Sequence, residues 1–184
     1  MLYSELQCSK AIRQAVERMG FAEMTEIQEK TIPVMLAGHD VIAKAPTGTG
    51  KTCAFGIPVA EHIQPEDKYP QAVIMAPTRE LAQQIAEELT NLTYFMPEVQ
   101  VACVYGGANM EKQAKRLAEG CQIVVATPGR LMDHYKHHNI DLSHVTQIVL
   151  DEADEMLNMG FYKDVRHIIE MMKARKALSM FSAT

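Results

Sequence analysis

Ala45-Pro46-Thr47-Gly48-Thr49-Gly50-Lys51-Thr52 decides the fold, because its residue types and spacing are those of a phosphate-binding loop between a strand and a helix. Gly48 and Gly50 let the backbone come close to phosphate oxygens and turn its N–H groups toward them. The helix that starts near Lys51 adds its positive dipole end. In this reading residues 47–52 hold the nucleotide, with Lys51 reaching the β- and γ-phosphates and the Thr52 hydroxyl ligating Mg²⁺. Thr47 precedes Gly48, and Thr49 lies between the two glycines. The general pattern begins with Gly, whereas Ala45 holds that place here. The plain alternative is a Gly-rich turn without a ligand. Context argues against it. Residues 41–45 form a strand candidate that ends where the loop begins, and residues 53–63 form an apolar segment long enough for a helix, with Pro58 a local distortion.

Outward from the loop, apolar strands alternate with amphipathic segments. The strand candidates are 41–45, 72–76, 99–105, 123–126, 146–150 and 178–181. Helical segments are expected at 9–19, where Ile12, Val16 and Met19 share one face and Gly20 closes the helix, and at 80–92, 111–119, 130–137 and 165–172. Such alternation predicts an α/β fold, a parallel sheet with helices on both faces. Ligands in these folds bind at the carboxyl ends of strands.

A second chemical motif sits at such an end. Ile148-Val149-Leu150 reads as a buried strand, and Asp151-Glu152-Ala153-Asp154 follows it. Asp151 can hold the hydration shell of Mg²⁺, while Glu152 can orient and deprotonate the attacking water in phosphoryl transfer. The alternative is an acidic helix N-terminus favoured by the helix dipole, which accounts in part for Asp154 and Glu155.

Asp151-Glu152-Ala153-Asp154 spells the signature of the DEAD-box ATP-dependent RNA helicases, and further segments resemble that family's first RecA-like domain in its order. Pro77-Thr78-Arg79-Glu80-Leu81-Ala82 is similar to its first RNA-contact motif. Gly106-Gly107 and Thr127-Pro128-Gly129-Arg130 resemble the next two. Ser182-Ala183-Thr184 resembles the motif that couples ATP to RNA, where the family's Ser and Thr bond to the acidic motif, here Asp154. The segment 20–28 resembles the family's Q motif, in which Gln28 would read adenine and Phe21 would stack on it, with Thr25 alongside. An amide suits that task because it offers a donor and an acceptor together. Two positions depart from the family pattern: Met24 replaces the usual Pro, which loosens the turn, and Tyr3 replaces an upstream Phe. Thr25-Glu26-Ile27-Gln28 is also a capping box, so two uses compete for the Gln28 side chain. The resemblance favours adenine contact, with Thr25 capping in either case.

The resemblance covers essentially the whole chain and implies one RecA-like ATP-binding domain over residues 1–184. It implies ATP and Mg²⁺ as cofactors, RNA as partner, and a second RecA-like domain elsewhere in a longer chain. The RNA contacts carried over are Pro77, Arg79, Gly107, Thr127 and Arg130, directed mainly at the backbone. Alone, such a half binds nucleotide, hydrolyses it slowly and does not unwind duplexes. Two other readings remain: a P-loop ATPase that lacks the adenine reader, and a nucleotide-gated RNA clamp without turnover. Gln28 and Phe21 discriminate against the first, and Glu152 against the second.

Composition sets limits. The chain has 184 residues, 47% of them hydrophobic, enough for one well-buried domain. Its 18 basic residues face 23 acidic ones, a net charge of −5, so RNA affinity cannot rest on bulk charge. No apolar run approaches transmembrane length and the N-terminus lacks signal-peptide features, which points to a soluble, cytoplasmic protein. Four cysteines without C-x-x-C spacing are expected as reduced thiols without zinc. The cluster His134-Tyr135-Lys136-His137-His138 is expected as a solvated helix end rather than a metal site.

Overall fold

Alternating side chains divide the apolar residues of the strands between two faces. Ala72, Ile74 and Ala76 pack with Ile123, Val125, Val149 and Phe181 on one side, while Val73 and Met75 pack with Val104, Val124, Ile148 and Leu150 on the other. The structure, a computed structural model, describes residues 1–183, so the coupling role carried over to Thr184 lies outside the described residues. The strands are β1 (Ile42–Lys44), β2 (Ala72–Met75), β3 (Val101–Val104), β4 (Ile123–Ala126), β5 (Gln147–Asp151) and β6 (Ala177–Ser182). They form one sheet in the order β1-β6-β5-β2-β4-β3, every described pairing parallel. The expected strands are thus present: β1, β2 and β3 are trimmed at their ends, β4 coincides, β5 is shifted by one residue and β6 extends one residue further at each end.

Helices cover both faces. On the first lie α1 (Lys10–Arg18), α2 (Glu26–Leu36), α3 (Lys51–Glu61) and α4 (Arg79–Leu92); on the second lie α5 (Met110–Ala118), α6 (Pro128–Lys136), α7 (Ala153–Asn158) and α8 (Tyr162–Met171). Side-chain caps start several of them: Ser9 for α1, Thr25 for α2, Thr78 for α4 and Asn109 for α5. Two helices run through a proline, α2 through Pro33 and α3 through Pro58. An interior proline costs about 3 kcal/mol in an isolated helix. Here packing overrides that penalty, because Cys53 through Ala60 are all buried. No helix among the described residues is long and apolar enough to cross a membrane.

Two local expectations change. Met24 does not loosen its turn: it is buried, and its N–H donates to the Met1 carbonyl at 2.9 Å, a bond that a proline could not make. The bridge between Leu2 and Glu23 and the bond from the Tyr3 N–H to the Ala22 carbonyl extend this seam and lay the N-terminus against the segment ahead of α2. The histidine cluster splits as well. His134 is fully buried on the inner side of α6, whereas His137 and His138 are exposed at the helix end.

The helices α3 and α4 meet at Gly56. A Cβ built there would lie 2.8 Å from Leu92 Cδ1 and 3.2 Å from Leu89 Cδ2, both in fully buried side chains. Gly56→Val should therefore lower stability by about 1–3 kcal/mol through overpacking. Urea denaturation measures this, and an unchanged midpoint would mean that the two helices are not in close contact.

Candidate functional site

Strand order determines which loops meet. Because β6 lies between β1 and β5, the loop after β1 and the acidic motif after β5 converge at its end: Lys44 pairs with Ser182, Phe181 with Asp151, and the Ala45 N–H donates to the Ser182 carbonyl at 2.8 Å. Across this junction Lys51 Nζ lies 3.5 Å from Asp151 Oδ1, and both side chains are buried. Among the described residues Lys51 Nζ has no hydrogen-bond partner. A buried ammonium with spare donors is what a site for an anionic group requires. Burial pushes the Asp151 carboxyl above its ordinary 3.8, while the Lys51 charge and the N–H of Glu152, which donates at 2.9 Å, pull the other way. Glu152 has a left-handed backbone, φ 50 and ψ 51, and occupies the N-cap of α7. Such a conformation costs a non-glycine residue on the order of 1–3 kcal/mol and is found at sites where it orients a functional group.

A cavity of about 460 Å³ opens beside the pair and is lined by Thr47, Gly48, Gly50, Lys51, Thr52, Asp151 and Glu152, together with Phe21, Thr25 and Gln28. Thr49 turns away, its hydroxyl donating to the Pro46 carbonyl at 2.6 Å. The loop glycines have φ values of 86° at Gly48 and 82° at Gly50. Gly50 is doubly constrained, since a Cβ there would sit 2.3 Å from Gln28 Nε2.

Gln28 performs the capping role and more. Its N–H donates to Thr25 Oγ1 at 3.4 Å and its Oε1 accepts from the Thr25 N–H at 3.0 Å, the capping box. The same Oε1 accepts from the Tyr3 hydroxyl, and Nε2 donates to the Gly50 carbonyl at 3.1 Å. Phe21 stands at the rim with an exposed ring. Sequence reasoning missed Glu23, Cys53 and the α4 residues Leu81, Gln84 and Glu88, which also line the cavity. The last three form one stripe along α4, a spacing that marks a shared helix face but not what that face borders. Burial first, and then Glu88, whose Oε1 lies 3.8 Å from Cys53 Sγ, push the Cys53 thiol up to about 12.

The remaining motifs gather on the other half of the sheet, after β2, β4 and β3. Pro77 is buried at the end of β2, and Arg79 is exposed with its guanidinium 5.1 Å from the Tyr105 ring centre. A Cβ on Gly107, which has φ 85, would come 3.8 Å from Arg79 Nη1, so these two share one surface. Thr127 holds the N-cap position of α6 ahead of Pro128, yet its side chain makes no cap bond. Arg130 is committed inward: Nη1 donates to the Ala108 carbonyl at 2.9 Å and to Gln113 Oε1 at 3.0 Å. Asp154 is half-buried in the first turn of α7, and Ser182 is half-buried at the end of β6.

The family model for DEAD/DEAH box helicases matches residues 25–184. The chain belongs to this family. It is 50% identical over its whole length to ATP-dependent RNA helicase CshA of Limosilactobacillus reuteri. It is 44% identical over 182 residues, 99% of the chain, to ATP-dependent RNA helicase DeaD of Escherichia coli strain K12. The chain spans 37% of the first relative and 29% of the second. Among solved structures, a DEAD box protein from Methanococcus jannaschii is similar at a TM-score of 0.91 and 41% identity, over 100% of this chain and 50% of that one. A hypothetical ATP-dependent RNA helicase from Sulfolobus tokodaii matches at 0.88 and 41%, over 96% of this chain and 51% of its own. The family's RecA-like architecture accounts for the parallel sheet and its order of loops.

The raised pKa of Asp151 has a definite sign. The acid is buried at least cost when neutral, so Asp151 favours folding below 3.8 and opposes it as pH rises through its raised value. Lys51→Met removes the charge that restrains this shift and should raise the Asp151 pKa further. A carboxyl-selective carbon NMR titration reads this directly, and an unmoved midpoint would show that the two groups do not interact.

Proposed function

We propose that this chain is the ATP-binding and RNA-contacting domain of a DEAD-box RNA helicase, residues 1–184 forming one RecA-like unit of a longer protein that couples ATP hydrolysis to unwinding or remodelling RNA. The observation that carries the reading is the buried, unbonded Lys51 ammonium beside Asp151, in a cavity that also holds Gln28 and is rimmed by Phe21. These residues fit an adenine nucleotide. Lys51 and the N–H groups of the glycine loop bind the phosphates, and Phe21 stacks on the base. Thr52 and, partly through water, Asp151 would hold Mg²⁺, which supplies charge neutralisation at the phosphates. Glu152 takes the proton of the attacking water.

Gln28 links base reading to loop shape. Its Oε1 already accepts from two donors, and one N–H is given to the Gly50 carbonyl. Reading adenine with both amide groups therefore requires exchange of these bonds, so the base and the phosphate loop compete for the same side chain. On the other half, Arg79, Gly107 and Thr127 form the RNA face beside Pro77. Arg130 contributes by holding that face in place and with the N–H groups left over from its internal bonds. Asp154, Ser182 and Thr184 couple the two halves. Catalysis at full rate needs the second RecA-like domain, because an arginine finger is worth on the order of 10³–10⁵ in rate. The cytoplasm, where ATP and RNA meet, is the compartment this reading implies.

Calorimetric titration with Mg-ADP and Mg-GDP tests the assignment. A preference for ADP that disappears in Gln28→Ala is expected, whereas equal affinities would leave a generic P-loop ATPase. In the longer protein, Glu152→Gln should keep ATP and RNA binding while steady-state phosphate release falls at least about a hundredfold, the ordinary scale of general-base catalysis. Full residual turnover would remove Glu152 from the mechanism.

A further inference from the structure

The Gln113 amide joins three segments of chain. Its Nε2 donates to the Tyr105 carbonyl at 3.0 Å. Its Oε1 accepts from Arg130 Nη1 at 3.0 Å and lies 2.9 Å from His134 Nε2. An amide oxygen only accepts, so His134 carries its proton on Nε2. The other ring nitrogen then has a free lone pair, which accepts from Asn139 Nδ2 at 3.1 Å. His134 is fully buried, and burial, reinforced by the Arg130 charge, lowers its pKa below 6.5. The ring is thus neutral, of one tautomer, and hydrogen-bonded at both nitrogens.

This arrangement leaves Gln113 one orientation. Turned over, its NH₂ group would face the Arg130 guanidinium, which only donates, and its oxygen would face the Tyr105 carbonyl, which only accepts. The amide in turn holds the stretch 105–108 from one side, and Arg130 holds it from the other through the Ala108 carbonyl. Tyr105 is fixed at its far end too, its hydroxyl accepting from Gln83 Nε2 at 2.9 Å. The surface these bonds steady contains Arg79, which lies over the Tyr105 ring, and Gly107, which lies beside Arg79.

We propose that His134 and Gln113 are positioning residues for the RNA face: the neutral ring sets the Gln113 amide, which with Arg130 holds residues 105–108 in register with Arg79 and Thr127. The inference rests on the RNA face proposed above. It adds residues that touch no ligand and act through the backbone of that loop.

The test compares His134→Met, which removes the donor at similar volume, with His134→Gln, which retains a donor near the Nε2 position. Each is titrated by fluorescence anisotropy against labelled oligouridylate and by calorimetry against Mg-ADP, with folding checked by circular dichroism. Loss of the buried donor should weaken RNA binding about ten-fold in His134→Met, with nucleotide affinity unchanged and most of the RNA affinity regained in His134→Gln. Should His134→Met fail to fold, Gln113→Met removes the same link from α5 and carries the same expectation. Folded variants that bind RNA as the wild type does, or that lose RNA and Mg-ADP in equal measure, overturn the proposal. A wild-type chain that binds Mg-ADP but no RNA overturns the RNA face itself and this proposal with it.

Discussion

Parallel pairing of β6 between β1 and β5 is the constraint on which the site depends. It brings the end of β1 and the end of β5 to either side of Ser182, and thereby sets Lys51 and Asp151 3.5 Å apart although a hundred positions separate them in the chain numbering. A buried ion pair is weak evidence for stability, since desolvation can exceed the Coulombic gain. The raised Asp151 pKa and the unbonded Lys51 Nζ express that cost here. The left-handed Glu152 adds backbone strain at the same place. Such a site is tolerated because apolar clusters on both sheet faces stabilise the scaffold independently of it.

The sheet order also divides the functional edge. The loops after β1 and β5, with β6 between those strands, build the proposed nucleotide cavity, while the ends of β2, β4 and β3 carry the proposed RNA face. The halves adjoin where β5 pairs with β2, Leu150 opposite Met75, so the strand that ends in Asp151 lies beside the one that leads to Pro77 and Arg79. The proposed RNA face is local rather than a property of the net charge. With a formal charge of −5, the chain offers no general basic field, yet Arg79 is exposed on the same surface as the open backbone at Gly107.

The two halves are supported in different ways. Behind the phosphate loop, Gln28 connects the N-terminal Tyr3, the cap of α2 and the Gly50 carbonyl. Behind the loop after β3, Gln113 connects Tyr105, Arg130 and His134. In each case the amide oxygen accepts from two partners while one N–H is given to a backbone carbonyl, which favours a single orientation.

What the amino-acid sequence determined by itself was everything that depends on neighbours along the chain. The apolar strand runs alternating with amphipathic segments, the cap at Thr25, the glycine loop at 48–50 and the acids after Leu150 are local patterns, and they were enough to predict a parallel α/β fold with its chemistry at the strand ends. Tertiary structure alone decided which distant side chains meet. Nothing near Tyr3 signals that its hydroxyl reaches Gln28, nothing near Gln84 or Glu88 that they border the cavity, and nothing in a run of histidines that His134 turns inward while its neighbours stay in water. Pro33 and Pro58 likewise interrupt a local helix pattern, but the packed helices continue through them. The reason is physical: backbone propensity acts over a few residues, whereas burial and hydrogen bonding between elements are set by the packing of the whole chain.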